Sequence, residues 1–369
     1  MMTIAKEVIV VKIGSSLLVG DDDNIRRSWL ETLVADIAKR HAEGVSVIIV
    51  SSGSIALGAR KLGLEKSGRA NLADAQAAAS VGQIALASLW SALLANHDVT
   101  AAQMLLTLDD LEDRKRYLNA AATLEKLLEN RAIPVINEND SVATDEIRFG
   151  DNDRLAARVA QAASADHVFL LSDVDGLFDR RPTGTENDQI IPLVEHVDAR
   201  IMAMADGSSS SGLGSGGMTS KLEAARIANL AGIKLSILSG KHDHPLDRYQ
   251  QSGIGTLFQA SGSTSARKSW LGGRLTSAGT ISVDDGAAEA LQDGNSLLAA
   301  GITGITGQFD RSDVVDIAQA DGQVIARGLV EYSAADCAKI IGRRSNELEA
   351  LLSHAPRSAV VHRNQMVLL

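Results

Sequence analysis

The 369-residue chain reads as an α/β protein on a mainly parallel sheet, followed by a small, mainly β module. Two patterns predict the first part. Short β-branched runs alternate with helical stretches as far as about residue 260, which is the signature of βαβ units. Those runs are nearly continuous in apolar residues, as strands covered by helices on both faces must be. A third pattern predicts the second part, because beyond about 260 short strands recur between glycine turns. The organisation expected is a larger α/β domain at 1–260, a linker at 261–275 and a second domain at 276–369.

Composition limits the function. Hydrophobic residues make up 45% and aromatics 3%, so the core must be aliphatic and alanine-rich. A net charge of −10 gives no global attraction to nucleic acid or to an anionic membrane. Cys337 is the single cysteine, which excludes an intramolecular disulfide and a multi-cysteine metal site. It implies a reducing compartment and a cytoplasmic protein. Lys6, Glu7 and Lys12 interrupt the apolar N-terminal run, so it is not read as a signal peptide. The most apolar helix, 72–95, is broken by Asp74, Gln76 and Gln83. It reads as a buried or subunit-contact helix, with no membrane span expected.

Taken in order, the elements end in polar clusters. The first strand, 8–13, carries Lys12 and runs into Gly14-Ser15-Ser16. A turn there can aim backbone N–H groups at an anion with Lys12 as a point charge, or Lys12 can be a solvated residue on an edge strand. A helix at 26–42 leads to the strand at 45–50, which enters Ser51-Ser52-Gly53-Ser54 and a further helix. That N-terminus suits a phosphate or carboxylate, or is capped by serine. Helices at 72–95 and 114–130 precede the strand at 133–136. "NEND" (137–140) follows it, and "GDND" (150–153) opens the helix at 152–164, with Asp151 as a cap. Two acidic and amide clusters at adjacent strand ends can grip an ammonium group, or each can be a solvated loop; the spacing excludes an EF-hand.

The strand at 168–171 ends in Ser172, Asp173 and Asp175, which can serve a metal, a ribose hydroxyl or a simple turn. "SSSSGLGSGGMTSKLEAA" (208–225) begins as a flexible stretch. It then opens a helix, with Ser220 and Glu223 read as a capping box, Lys221 in the first turn and Gly232 as the stop. It is neither a Walker loop nor a dinucleotide fingerprint. The last strand of the first domain is read at 235–238. Two anion-friendly loops, two separated lysines and one cation-friendly pocket on one sheet edge suit phosphoryl transfer onto a small zwitterion.

"VVKIGSS", "VSSGSIALG", "QMLLT", "NENDSVAT", "FGDNDRLAA", "LSDVDGLF" and "SGLGSGGMTSKLEAA" stand in an order that resembles the amino-acid kinase family, and within it the glutamate 5-kinases most closely. "DRKRYLNA" (113–120) and a tail resembling a PUA domain extend the likeness over almost the whole chain. The resemblance implies a three-layer αβα sandwich and ATP-dependent phosphorylation of the γ-carboxylate of L-glutamate. It also implies a place at the first step of proline synthesis, with proline as feedback inhibitor, and a homo-oligomer (dimer or tetramer). By motif matching, Lys12 and Lys221 neutralise the transferring phosphoryl and the nucleotide phosphates, and Asp153 orients both lysines. Ser52, Asp140 and Asn152 bind glutamate. Lys12, Ser172, Asp173 and the run Ser215, Gly216, Gly217, Met218, Thr219, Ser220 and Lys221 bind ATP. Magnesium accompanies ATP without a dedicated protein ligand. Glu138, Asp145 and Glu146 receive no role and read as solvated.

Two rivals follow from the same residues. One is another amino-acid kinase, acting on acetylglutamate or aspartate; "NEND" beside a PUA-like tail argues against it. The other is RNA binding through the tail, since PUA domains elsewhere bind RNA. Residues 276–369 carry 7 Lys/Arg and 12 Asp/Glu, a net −5 that does not favour phosphate binding.

Overall fold

The computed structural model describes residues 7–20, 24–142, 152–180, 189–205, 217–260, 277–352, 356–357 and 359–368. The chain divides into Met1–Ser261 and Gly262–Leu369. The linker expected at 261–275 lies outside the described residues.

The first unit holds an eight-stranded sheet. Its strands are β1 (Val8–Ile13), β2 (Ser46–Ser51), β3 (Ala101–Leu106), β4 (Ile133–Glu138), β5 (His167–Ser172), β6 (Leu193–Val194), β7 (Lys234–Ser239) and β8 (Thr256–Phe258). The order is β3-β4-β2-β1-β5-β7-β8-β6. The run from β3 to β7 is parallel throughout, and β8 joins β7 antiparallel. The edge strand β3, the short strands β6 and β8 and helix Pro245–Ser252 are elements that apolar runs alone do not mark.

Alternation along the strands sorts side chains into two layers. Val10, Ile48, Val50, Ile136, Val168, Leu170, Leu235 and Ile237 belong to one apolar cluster, shared with helices Asn152–Ala162 and Met218–Leu230. Ile9, Val11, Ile13, Val47, Ile49, Val135, Leu171 and Leu238 belong to the other, with helices Arg27–Ala42 and Leu72–Ala95. The expected three-layer αβα sandwich is therefore present, with an aliphatic core. Parity also places Lys12 on the face of Val10, toward helices Asn152–Ala162 and Met218–Leu230. Ser51 and Asn137 share the parity of Ile49 and Val135, toward helix Leu72–Ala95.

Helix Leu72–Ala95 is long and apolar enough to cross a membrane by composition alone. Its buried face nevertheless runs from Ala75 to Leu94, with Trp90 fully enclosed. It lies in backbone contact with helix Ser54–Leu62: a Cβ at Gly58 would stand 1.7 Å from the Ala78 carbonyl oxygen, and one at Gly82 1.7 Å from that of Ser54. Only glycine permits that approach.

The second unit is mainly β. Its five-stranded sheet has the order β10-β9-β11-β12-β13, from strands β9 (Gly279–Val283), β10 (Ile302–Gly307), β11 (Val314–Ala318), β12 (Val324–Val330) and β13 (Val361–Leu368). A separate core gathers Ile281, Val315, Ile317, Val330, Tyr332 and Cys337. The helix expected near 333–353 is broken into Ala334–Ile340 and Leu348–Leu351, because Gly342 at φ +69° ends the first segment.

Candidate active site

β1 lies inside the sheet between β2 and β5, so Lys12 is not on an edge strand and is not solvated; it is 5% exposed. Its Nζ sits 2.5 Å from Asp153 Oδ1. Lys221 Nζ donates to the other oxygen, Asp153 Oδ2, at 3.1 Å. Asp153 is completely buried. Burial pushes its carboxyl up, but the Lys12 and Lys221 ammonium groups and their hydrogen bonds outweigh burial and hold its pKa below the usual carboxylate value. Two ammonium groups on one carboxylate leave this centre net positive. Buried as it is, it attracts anions more strongly than it would in water.

Lys221 owes its place to helix Met218–Leu230. The expected capping box is absent: Gly217 is the N-cap, with no side-chain cap bond, Ser220 stands inside the first turn, and Glu223 turns to Arg154 at 3.6 Å. Starting the helix at Met218 brings Lys221 round to the sheet side, where it is 8% exposed. Gly232 does stop the helix, with φ +72°.

The neighbouring residue, Asn152, faces a different set of groups. Its Nδ2 donates to Ser52 Oγ at 2.6 Å and to Asn137 Oδ1 at 3.0 Å. Asn137 Nδ2 in turn donates to Gln83 Oε1 at 2.9 Å and to Ser54 Oγ at 3.1 Å. Ser54 Oγ donates to Asp140 Oδ2 at 3.1 Å. Asn152 Oδ1 is buried and has no hydrogen-bond partner among the described residues. Asp140 is 9% exposed, and its pKa is raised to about 6. Burial is the largest cause; the Ser54 hydrogen bond and the charge of Arg69 oppose it. A carboxylate and an unused amide oxygen, both acceptors, make this pocket suited to an ammonium group.

Gly53 takes φ +115°, and a Cβ there would stand 2.7 Å from Leu18 Cδ2. It is the N-cap of helix Ser54–Leu62 and leaves the helix amides without a side-chain cap. The serine capping considered from the sequence is therefore absent, and the open amides favour an anion.

Ser172 is buried at the end of β5 and donates to Asp173 Oδ1 at 3.1 Å, while Asp173 is exposed. Gly217, Met218, Thr219 and Ser220 form the exposed or half-buried start of their helix. Ser215, Gly216, Asp145, Glu146 and Asp151 lie outside the described residues. Glu138 corrects an expectation. It is 3% exposed rather than solvated, because β4 continues through it. Ser54 and Asn137 lie within clusters the sequence marks but carry no individual role there, and Gln83 is one of two glutamines, with Gln76, in an alanine-rich helix; its polarity is the one signal, since a polar group packed in a helix interface needs a partner.

Among the described residues there is no cluster of three or more His, Cys, Asp or Glu that could hold a metal ion. Asp153, the carboxylate nearest the lysines, is committed to both of them.

Residues 7–239 match the amino acid kinase family, and residues 279–352 match the PUA domain. The chain is 61% identical to a glutamate 5-kinase of Novosphingobium aromaticivorans, over 98% of this chain and 96% of that one. It is 56% identical to a glutamate 5-kinase of Zymomonas mobilis, over 98% and 91% respectively. Among solved structures, carbamate kinase from Giardia lamblia bound to AMP-PNP shares the fold, with a TM-score of 0.51 at 15% identity over 70% of this chain and 99% of that one.

Proposed function

The chain belongs to the amino acid kinase family, and we infer from that premise that it is a glutamate 5-kinase, transferring the γ-phosphoryl group of ATP to the γ-carboxylate of L-glutamate. The observation that carries this reading is the split at the start of helix Asn152–Ala162. Asn152 faces an acceptor pocket suited to an ammonium, and Asp153 faces two lysines suited to phosphate.

The attacking carboxylate is already ionised at neutral pH, so the reaction needs no general base. Its barrier is repulsion between two anions, which positive groups offset. In this reading Lys12 and Lys221 lie along the transferring phosphoryl. Asp153 holds both ammonium groups at 2.5 and 3.1 Å, fixing their separation without cancelling their combined charge. Asp140 and Asn152 Oδ1 receive the amino group of glutamate, with Ser52 beside them. The open amides of helix Ser54–Leu62 suit the α-carboxylate. Ser172, Asp173 and the run from Ser215 to Lys221 take the nucleotide.

Magnesium would accompany ATP and, when bound, would screen the phosphate charge. We propose that it is carried by the nucleotide, since among the described residues no cluster of three or more His, Cys, Asp or Glu stands ready to hold it. We further propose a cytoplasmic homo-oligomer that opens proline synthesis and is inhibited by proline. Buried Cys337, whose thiol is pushed up to about 12 chiefly by burial, is inert and fits a reducing compartment.

Incubation with ATP, magnesium and hydroxylamine tests the substrate. Glutamate should yield the hydroxamate, with far less from aspartate or acetylglutamate. Hydroxamate from acetylglutamate with none from glutamate would refute the assignment.

A further inference from the structure

We propose that Gln83 and Trp90 are positioning residues for the amino-acid seat, setting from one face of helix Leu72–Ala95 the direction in which its amide and hydroxyl groups point. The proposal rests on the substrate reading above and adds two residues that touch no substrate.

The first line is directional. A carboxamide can be turned over without changing shape, so its partners decide which atom faces the ligand. Here the donors run one way, from Asn152 Nδ2 to Asn137 Oδ1 and from Asn137 Nδ2 to Gln83 Oε1. Asn137 gives its other N–H to Ser54, and Asn152 gives its other to Ser52. Every amide hydrogen of both asparagines is thereby used on the protein. What remains is Asn152 Oδ1, buried and unpartnered among the described residues. Gln83 Oε1 is the acceptor at the far end of the chain. Removing it frees Asn137 to turn over, and Asn152 with it, which would present N–H where an ammonium needs an acceptor.

The second line is independent. Trp90 Nε1 donates to Ser51 Oγ at 2.9 Å, and Ser51 Oγ donates to the Ser52 carbonyl at 3.1 Å. The indole N–H has no acceptor capacity, so it forces the serine proton toward Ser52. That pins the residue whose hydroxyl receives Asn152. Gln83 and Trp90 stand seven positions apart, two helical turns, and so share a face. The Gly58–Gly82 backbone contact fixes the height of that face beside Gln83.

Steady-state kinetics decide the matter. Gln83→Met keeps length and loses the acceptor; it should raise the KM for glutamate about tenfold while the ATP KM and the melting temperature stay near the parent values. Gln83→Glu restores an acceptor oxygen and should bring the KM back to within about threefold. Trp90→Phe and Ser51→Ala should each raise it about fivefold, and Ser51→Thr should not. A glutamate KM within about twofold of the parent in Gln83→Met, no recovery in Gln83→Glu, or equal rises in both KM values would overturn the proposal. If the parent enzyme phosphorylates another acid, the substrate assignment fails, and the same comparison made with that acid still decides the positioning claim.

Discussion

Two adjacent residues open one helix and stand in opposite electrostatic settings. Asp153 sits between two ammonium groups, where attraction of opposite charges sets the geometry. Asn152 sits in a chain of neutral amides and hydroxyls, where direction rather than charge sets it. The charged centre is short-ranged in its demands: it needs only that the carboxylate be buried with both lysines. The amide chain is extended and draws on β2, β4 and helix Leu72–Ala95. Catalysis by charge should therefore fail abruptly when one member is lost, whereas amino-acid affinity should fail by steps.

The largest break in this contrast is Asp153→Ala. Removing the carboxylate leaves two buried ammonium groups facing one another. Loss of one partner from a buried charge network costs about 3–5 kcal/mol. Activity should fall at least about a thousandfold, and thermal unfolding should show a clearly lowered midpoint. An Asp153→Ala enzyme with near-parent kcat would remove the lysine pair from the mechanism.

Next is Lys221→Ala. Here kcat should fall by about two to three orders of magnitude, with the KM for glutamate within about threefold. A change confined to the glutamate KM would reverse the role given to Lys221.

A smaller effect is expected from pH. Burial raises the Asp140 pKa to about 6, so the free enzyme loses this acceptor as pH falls through that value. The glutamate KM should rise below about pH 6 while the ATP KM holds. Asp140→Asn should abolish the step at a cost in affinity. Stability moves the other way: the folded state holds the Asp140 proton up to about pH 6 and the unfolded chain releases it near 3.8. Asp140 therefore subtracts stability progressively as pH rises between those values, in full above the higher one. A glutamate KM that is flat from pH 5 to 8 would exclude Asp140 from the seat.

Much of the catalytic unit is legible in the sequence because strands in a covered parallel sheet are apolar and stop at polar residues. Lys12, Ser52, Asp140 and Ser172 fall at or beside such strand ends, and Asn152, Asp153 and Lys221 fall in the first turns of helices. Four things are not legible for physical reasons. Whether Lys12 is solvated depends on strand order, which places β1 inside the sheet. Glu138 looks like a loop acid, but the ladder with β3 extends through it: Leu106 is its register partner. Gln83 looks like a flaw in an apolar helix, and only the packing of Gly58 on Gly82 brings it to Asn137. The helix start at Met218 was also displaced from the Ser220 signal, since Gly217 takes the cap without a side chain.

The central claim is that Asn152 serves the amino acid and Asp153 the lysines. Calorimetric titration of glutamate into Asn152→Ala and Asp153→Asn tests it without requiring turnover. Asn152→Ala should weaken glutamate binding by about tenfold or more, and Asp153→Asn should leave it within about threefold of the parent. Equal weakening in the two variants would contradict the division of labour between these neighbours.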